Sequence, residues 1–145
     1  MINPSRYRII AVGKIKKPWL QEGVKTYLKR LPGLQINEIR DNNSKKETEA
    51  IISLIRKDEL VVVLSEEHET YSSIKFSEKL QSFGNQRLVF IIGGADGISS
   101  KIKSISKWDL SLSTYTFPHE IAQLLLIEQL YRAQSIVSKT SYHRS

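Results

Sequence analysis

Two short runs without a polar side chain, Leu60-Val61-Val62-Val63-Leu64 and Leu88-Val89-Phe90-Ile91-Ile92, constrain the fold of this chain more than any other feature. A strand with one wet face alternates apolar and polar residues. A run apolar at every position belongs to a sheet covered on both faces, where parallel strands are found. The first run is predicted to be central in that sheet. Around them, residues 7–12 form a β-favouring segment stopped by Gly13, and 19–31 carry apolar residues at helical spacing. Leu34, Ile36 and Ile39 nearly hold a period of two. A helix is predicted over 45–57, with Ser44 as its cap and Glu47 three residues on, as in a capping box. Ser72-Ser73 opens a helix through Phe76 and Leu80 that ends near Gly84. A short helix at 99–105, a brief strand at 110–112 and a long helix over 118–138 complete the chain. This alternation predicts an α/β fold with a mainly parallel sheet covered by helices, and a single domain over residues 1–145 without repeat or linker.

The long helix carries Ile121, Leu124, Leu125, Leu126, Ile127, Leu130, Tyr131, Ile136 and Val137 at nearly every angle around its axis. A helix apolar all round must be covered on more than one side. The expected second cover is the identical helix of a partner across a twofold axis, hence a homodimer. A central helix in a monomer's core is the alternative.

Composition narrows the chemistry. The chain has no cysteine, which excludes disulfides, thiolate metal sites and cysteine nucleophiles. His68, His119 and His143 show no metal-ligand spacing, so no metal is expected. Lysine and arginine outnumber aspartate and glutamate by 22 to 15, giving +7 and a pI near 9.6. That balance favours a polyanionic partner, although the basic residues are scattered and many basic proteins never meet nucleic acid. No apolar run approaches the ~18 residues that span a membrane. The first residues run into a strand without a signal-peptide pattern, and a cytoplasmic protein is expected.

Three segments are candidates for chemistry. Gly93-Gly94-Ala95-Asp96-Gly97 follows a buried strand and precedes a helix, the place where α/β proteins bind ligands. It matches neither a dinucleotide fingerprint nor a Walker A loop, and such a cluster alone is more often just a tight turn. Leu112-Ser113-Thr114-Tyr115-Thr116-Phe117 mixes hydroxyls with large apolar groups and abuts Pro118. It suits a pocket wall or a strand-to-helix turn. Beyond the long helix stands a polar tail, Ser141-Tyr142-His143-Arg144, of a kind that is usually frayed.

Taken in order, these segments carry a resemblance. Residues 90–97, 110–119, Ile127-Glu128-Gln129-Leu130-Tyr131-Arg132-Ala133 and terminal Tyr142-His143-Arg144 closely resemble the RlmH family, bacterial methyltransferases of the SPOUT superfamily that act on N3 of a pseudouridine in large-subunit ribosomal RNA. Ala11-Val12-Gly13-Lys14-Ile15-Lys16, Tyr27-Leu28-Lys29-Arg30-Leu31, and Leu64 followed by Ser72-Ser73 and Phe76 extend the likeness over the whole chain. The resemblance implies a C-terminal trefoil knot, a dimer, and S-adenosylmethionine held by the knotted loops. It makes Leu64, Gly94 and Leu112, Ser113, Thr114, Tyr115, Thr116 and Phe117 the cofactor pocket, with Leu64, Ile92, Leu112 and Phe117 as apolar walls. His143 becomes the proton acceptor or base-orienting group, and Tyr142 a stacking or hydrogen-bonding partner of the base. Arg132 joins His143 and Tyr142 as the third catalytic residue, holding phosphate or base oxygen, and Arg144 and Lys14 become RNA contacts.

The chain departs from the family in several places. Gln123 replaces a usual arginine, Ser65 and His68 replace aspartate and glycine, and Lys139 and Ser141 replace glycine and proline or alanine. Glu66-Glu67-His68-Glu69 is acidic for a surface facing RNA and is read as a solvated turn. His119 suits packing as well as action. Two further readings are the same fold acting on another RNA, such as transfer RNA, and a catalytically silent RNA-binding module, which the changes at Gln123 and Ser65 would suit. A small-molecule hydrolase finds no nucleophile, base and orienting acid at usable spacing.

Overall fold

The structure is a computed structural model that describes residues 1–144. A 3-10 turn, Pro4–Arg6, leads into β1 (Tyr7–Val12). Then come α1 (Pro18–Leu28), β2 (Gln35–Ile39), α2 (Ser44–Leu54), β3 (Glu59–Leu64), α3 (Ser73–Ser82), β4 (Arg87–Ile92), α4 (Ser100–Ile105), β5 (Ser106–Leu110) and α5 (His119–Ser138). The five strands form one sheet in the order β2-β1-β4-β3-β5, and every pairing is parallel.

The run at residues 60–64 lies inside the sheet as β3, but the middle position belongs to β4. Both strands are apolar on both faces, so their patterns cannot rank them. On one face Ile9, Ala11, Val62, Phe90 and Ile92 meet Leu20 of α1, Phe76 and Leu80 of α3, and Leu126, Ile127 and Leu130 of α5. On the other, Ile10, Val12, Val61, Val63, Val89 and Ile91 meet Ile51 of α2 and Ile102 of α4. Arg8 is buried within β1 because Glu59 pairs with it, Nε to Oε2 at 2.9 Å and Nη2 to Oε1 at 2.6 Å.

Two local expectations shift. The last strand is β5 at Ser106–Leu110, not 110–112, and Ser111 makes only an isolated bridge with Thr70. β5 follows α4 without a loop. It lies at an edge, where the polar Lys107 and Asp109 alternate with buried Trp108 and Leu110, a pattern easily read as the flank of a helix. The cap of α2 is Asn43 rather than Ser44: its side chain accepts from the Lys46 N–H at 2.9 Å. Glu47 instead reaches back to accept the Asn42 N–H at 2.7 Å. A carboxamide one residue upstream does the work expected of the hydroxyl.

The apolar girth of α5 also has an answer within the protomer. The sheet lies beneath it, and α1 and α3 flank it on either side. What remains is a half-buried outer stripe of Ala122, Leu125, Gln129, Arg132 and Ile136, alternating three and four residues apart. The helix ends at Lys139, which takes the left-handed φ of 58° that glycine would adopt more cheaply. The Thr140 N–H closes back on the Ser135 carbonyl at 3.0 Å.

Candidate functional site

Because all five strands run the same way, the carboxyl ends of β3, β4 and β5 open on one edge of the sheet. There they frame a cleft of about 650 Å³. Its apolar walls are Leu64, Ile92, Leu112 and Phe117, and its floor is Gly93 and Gly94. The volume is that of a cofactor-sized pocket, on the order of 300–1,000 Å³.

The glycines set its depth. A Cβ at Gly93 would lie 2.8 Å from the Gly97 carbonyl carbon and oxygen, and one at Gly94 would lie 2.9 Å from Val12 Cγ1. The Gly97 N–H donates to the Gly94 carbonyl at 3.0 Å, folding the loop on itself. Any side chain at Gly93 forces that loop, which lines the cleft, to shift.

The opposite wall is tied at both ends. The Ser111 hydroxyl donates to the Ser113 carbonyl at 2.9 Å, and the Tyr115 N–H to Ser113 Oγ at 3.0 Å. The Thr116 hydroxyl donates to Glu66 Oε2 at 3.0 Å, bridging two lips. Of the residues expected here, Leu64, Gly94, Leu112, Ser113, Tyr115, Thr116 and Phe117 line the cleft, whereas Thr114 is exposed and does not. Glu66 and Glu67 are exposed, as a solvated turn would be, yet they form one rim. His119, Ala122 and Lys103 also line it and were not expected to. His119 follows the wall directly and was legible from that adjacency. Lys103 was not, since an exposed lysine on a short helix reads as solvated charge.

The other three residues proposed for catalysis lie elsewhere in the protomer. Tyr142 donates to Glu128 Oε2 at 2.6 Å and its hydroxyl lies 2.9 Å from that of Tyr27. Arg132 donates from Nη2 to the same Glu128 oxygen at 2.7 Å and stacks 4.7 Å from the centre of the Tyr142 ring. Burial first, then the hydrogen bonds to Glu128 and Tyr27, push the Tyr142 phenol well above its ordinary range. The hydrogen bond to Glu128 raises Arg132 above its already high value despite partial desolvation. Arg132 Nη1 lies 3.1 Å from His143 Nδ1. A guanidinium has donors only, so Nδ1 accepts and the neutral ring carries its proton on Nε2. None of these residues lines the cleft. Arg132 stands ten residues beyond Ala122 on α5, about 15 Å along the axis at the usual helical rise. Arg144 is exposed beside this tail cluster, and Lys14 is exposed on the loop after β1.

Gln123, one turn after His119, is 1% exposed, and its Oε1 has no hydrogen-bond partner among the described residues. Among the described residues no group of histidines and carboxylates is arranged to hold a metal ion, and no helix is long and apolar enough to cross a membrane.

Comparison with known proteins agrees with this geometry. Residues 5–143 match the family described as "Predicted SPOUT methyltransferase". A protein of Synechococcus sp. (strain CC9311) named "Ribosomal RNA large subunit methyltransferase H" is 57% identical over 99% of this chain and 100% of its own length. A protein of the same name from Prochlorococcus marinus (strain MIT 9211) is 54% identical over the full length of both. Among solved structures, a probable methylase family protein from Haemophilus influenzae Rd KW20 superposes with a TM-score of 0.62 at 10% identity, over 98% of this chain and 72% of that one. The SpoU methyltransferase AviRb from Streptomyces viridochromogenes, solved in complex with AdoMet, gives 0.50 at 11% identity over 88% and 57%. These two structural likenesses speak to the fold.

Proposed function

The chain belongs to the SPOUT methyltransferase family, and from that premise we propose that it methylates large-subunit ribosomal RNA with S-adenosylmethionine, at N3 of a pseudouridine. The observation that carries the reading is a glycine-floored cleft at the carboxyl ends of β3, β4 and β5, in a chain more than half identical to proteins named as methyltransferases of large-subunit ribosomal RNA.

The residues present suit the cofactor. Leu64, Ile92, Leu112 and Phe117 are walls for adenine and the methionine chain, and the lack of a Cβ at Gly93 and Gly94 lets the loop that lines the cleft pack against Gly97, Ile98 and Val12. Bound there, S-adenosylmethionine would supply an electrophilic methyl group on sulfonium: the ring nitrogen takes the methyl as its bond to sulfur breaks, the thioether leaves, and the N3 proton passes to water. The protein's part is then alignment of the two reactants. His143 presents Nε2–H, a donor for a carbonyl oxygen beside the reacting nitrogen, and Arg132 fixes that tautomer. This arrangement favours the base-orienting role over the proton-accepting one. Tyr142, held neutral, offers a ring face for the base, and Arg144 and Lys14 meet phosphate.

The separation of tail and cleft supports a homodimer in which each tail serves the partner's cleft. The outer stripe of α5 is a surface for that twofold contact. The knotted C-terminal path and a single domain over residues 1–145 belong to the same reading, as does a cytoplasmic location, where ribosomes are. The test incubates the protein with radiolabelled S-adenosylmethionine and ribosomes lacking the modification, then locates label by nuclease digestion and mass spectrometry. Label on N3 of a pseudouridine of the large subunit is expected. Cofactor binding without incorporation would move the substrate to another RNA, and no cofactor binding would leave a silent module.

A further inference from the structure

Trp19 is 62% exposed, whereas the rest of α1 spends its apolar residues inward: Leu20 and Val24 are buried, and Gly23 lies against Leu124 of α5. Packing therefore does not ask for a tryptophan there. Its surroundings are cationic. Lys14, Lys16 and Lys17 are all exposed on the loop between β1 and α1, and Lys17 Nζ stands 6.0 Å from the centre of the indole. None of the three lysines is in an ion pair among the described residues.

The loop that displays them is nonetheless firmly built. Ile15 is buried, Glu38 accepts the Ile15 N–H at 3.1 Å, and Glu120 accepts the Lys16 N–H at 3.0 Å. Gln21 Nε2 donates to the Ile15 carbonyl at 2.9 Å. The two carboxylates thus hold backbone and leave the ammonium groups free. The loop also abuts the cleft: a Cβ at Gly13 would lie 2.7 Å from Nε2 of His119, which lines it. Around the cleft the charge is lopsided, with Glu66 and Glu67 on the rim formed after β3 and these lysines beside the rim near His119.

From the exposed indole, its unpaired lysines and their place at the cleft, we propose that the loop of Lys14, Lys16 and Lys17 with Trp19 docks the RNA substrate, with Trp19 stacking on one unpaired base and the lysines on its flanking phosphates. The proposal rests on an RNA substrate and adds the side from which it enters and the residue that reads single-strandedness. A lone flat ring in a cationic collar lacks the apolar surround of a protein interface core. It has the composition of a single-strand platform, where a π-face tolerates any base and cations follow the backbone.

Trp108 is 5% exposed in the core, so the difference in emission between the parent and Trp19→Phe isolates the indole of Trp19. Titration with a single-stranded RNA hexanucleotide should quench that difference, and a duplex of the same length should not. On ribosomes, Trp19→Ala should raise KM by on the order of tenfold with a smaller effect on kcat, and Trp19→Phe should recover most of it. S-adenosylmethionine affinity measured by calorimetry serves as the folding control. Absence of quenching together with a ribosome KM within twofold of the parent overturns the proposal. So does a Trp19→Ala variant that alters only the sedimentation of the free protein, since the ring then belongs to a contact between copies. If the parent itself fails to methylate ribosomes, the substrate assignment falls, and the quenching titration alone decides whether Trp19 stacks on RNA.

Discussion

Tyr142 donates its hydroxyl hydrogen to Glu128 Oε2 over 2.6 Å, and that bond fastens the C-terminal tail to the middle of α5, fourteen residues earlier in the chain. The same carboxylate holds Arg132, which in turn holds His143. One side chain therefore positions three others. Glu128→Gln should lower methyl transfer by at least about tenfold while the cofactor dissociation constant stays within about twofold, because the cleft is elsewhere. The variant also removes a negative charge that opposes formation of the phenolate. Tyr142 should then titrate at lower pH than in the parent, as near-ultraviolet absorbance reads directly. An unchanged titration would mean that burial and Tyr27 hold the phenol without help from Glu128.

Gly93→Ala tests the cleft floor. Its Cβ would meet backbone, 2.8 Å from the Gly97 carbonyl, and backbone cannot rotate away. The loop 93–97, which borders the space assigned to the cofactor, must shift. Calorimetry should show at least about tenfold weaker binding of S-adenosylmethionine, with a far smaller change in melting temperature, since the residue lies at a strand end rather than in the core. Cofactor affinity equal to the parent's would take Gly93 out of the binding surface.

Much of the fold was legible because burial on both faces leaves a plain signature: β1, β3 and β4 read as strands from side chains alone. β5 did not, because an edge strand mixes Lys107 and Asp109 with Trp108, and no loop separates it from α4. Seven of the eight residues expected at the cofactor pocket line one cleft, since strand-end loops in a parallel sheet share an edge. The tail was harder to place. Its position depends on Glu128, a carboxylate inside a helix read as apolar all round, and on Lys139 taking a left-handed turn where glycine is the usual signal. Likewise the girth of α5 pointed to a second copy, whereas α1 and α3 already supply two of its covers.

The buried pair of Arg8 and Glu59 should dominate the response to acid. Burial alone would raise the Glu59 carboxyl, but hydrogen bonds from the Arg8 side chain and the Arg56 N–H, with the nearby positive charges, outweigh it and hold the group below its ordinary value. A carboxyl depressed on folding contributes stability above its unfolded pKa of about 4 and loses it as pH falls through the folded value. Glu59→Gln should cost about 3–5 kcal/mol in denaturant unfolding, by leaving the guanidinium buried without its partner. The double change Arg8→Met with Glu59→Leu should recover most of that loss. A double variant as weak as the single one would show that the pair itself, not its rupture, is what matters.

At the alkaline end two phenols contribute, Tyr142, raised by burial and its hydrogen bonds, and Tyr7, which burial pushes up to about 12 against a smaller opposing effect of Arg6. The unfolded chain releases this proton near pH 10 and the folded chain does not, so stability is intact below about 10 and declines toward 12. The loss amounts to roughly 2–3 kcal/mol across that window. Tyr7→Phe should remove its share and leave a shallower decline carried by Tyr142, measured as midpoint denaturant concentration against pH. A parallel decline in the variant would assign the alkaline loss to other groups.

Whether the tail completes its own cleft or its partner's can be read by mixing two inactive variants. Gly93→Ala disables the cleft and leaves the tail, and His143→Ala does the reverse. His143→Ala alone should lose methyl transfer far more than cofactor binding. If the tail acts in trans, a mixed dimer joins the sound cleft of one subunit to the sound tail of the other. Random reassortment makes half of the dimers mixed, each with one of two sites restored, so activity should return to about one quarter of the parent's. If it acts in cis, every subunit carries a defect at its only site and mixing restores nothing. The roughly 15 Å of helix between Ala122 and Arg132 in one protomer makes the first outcome the expected one.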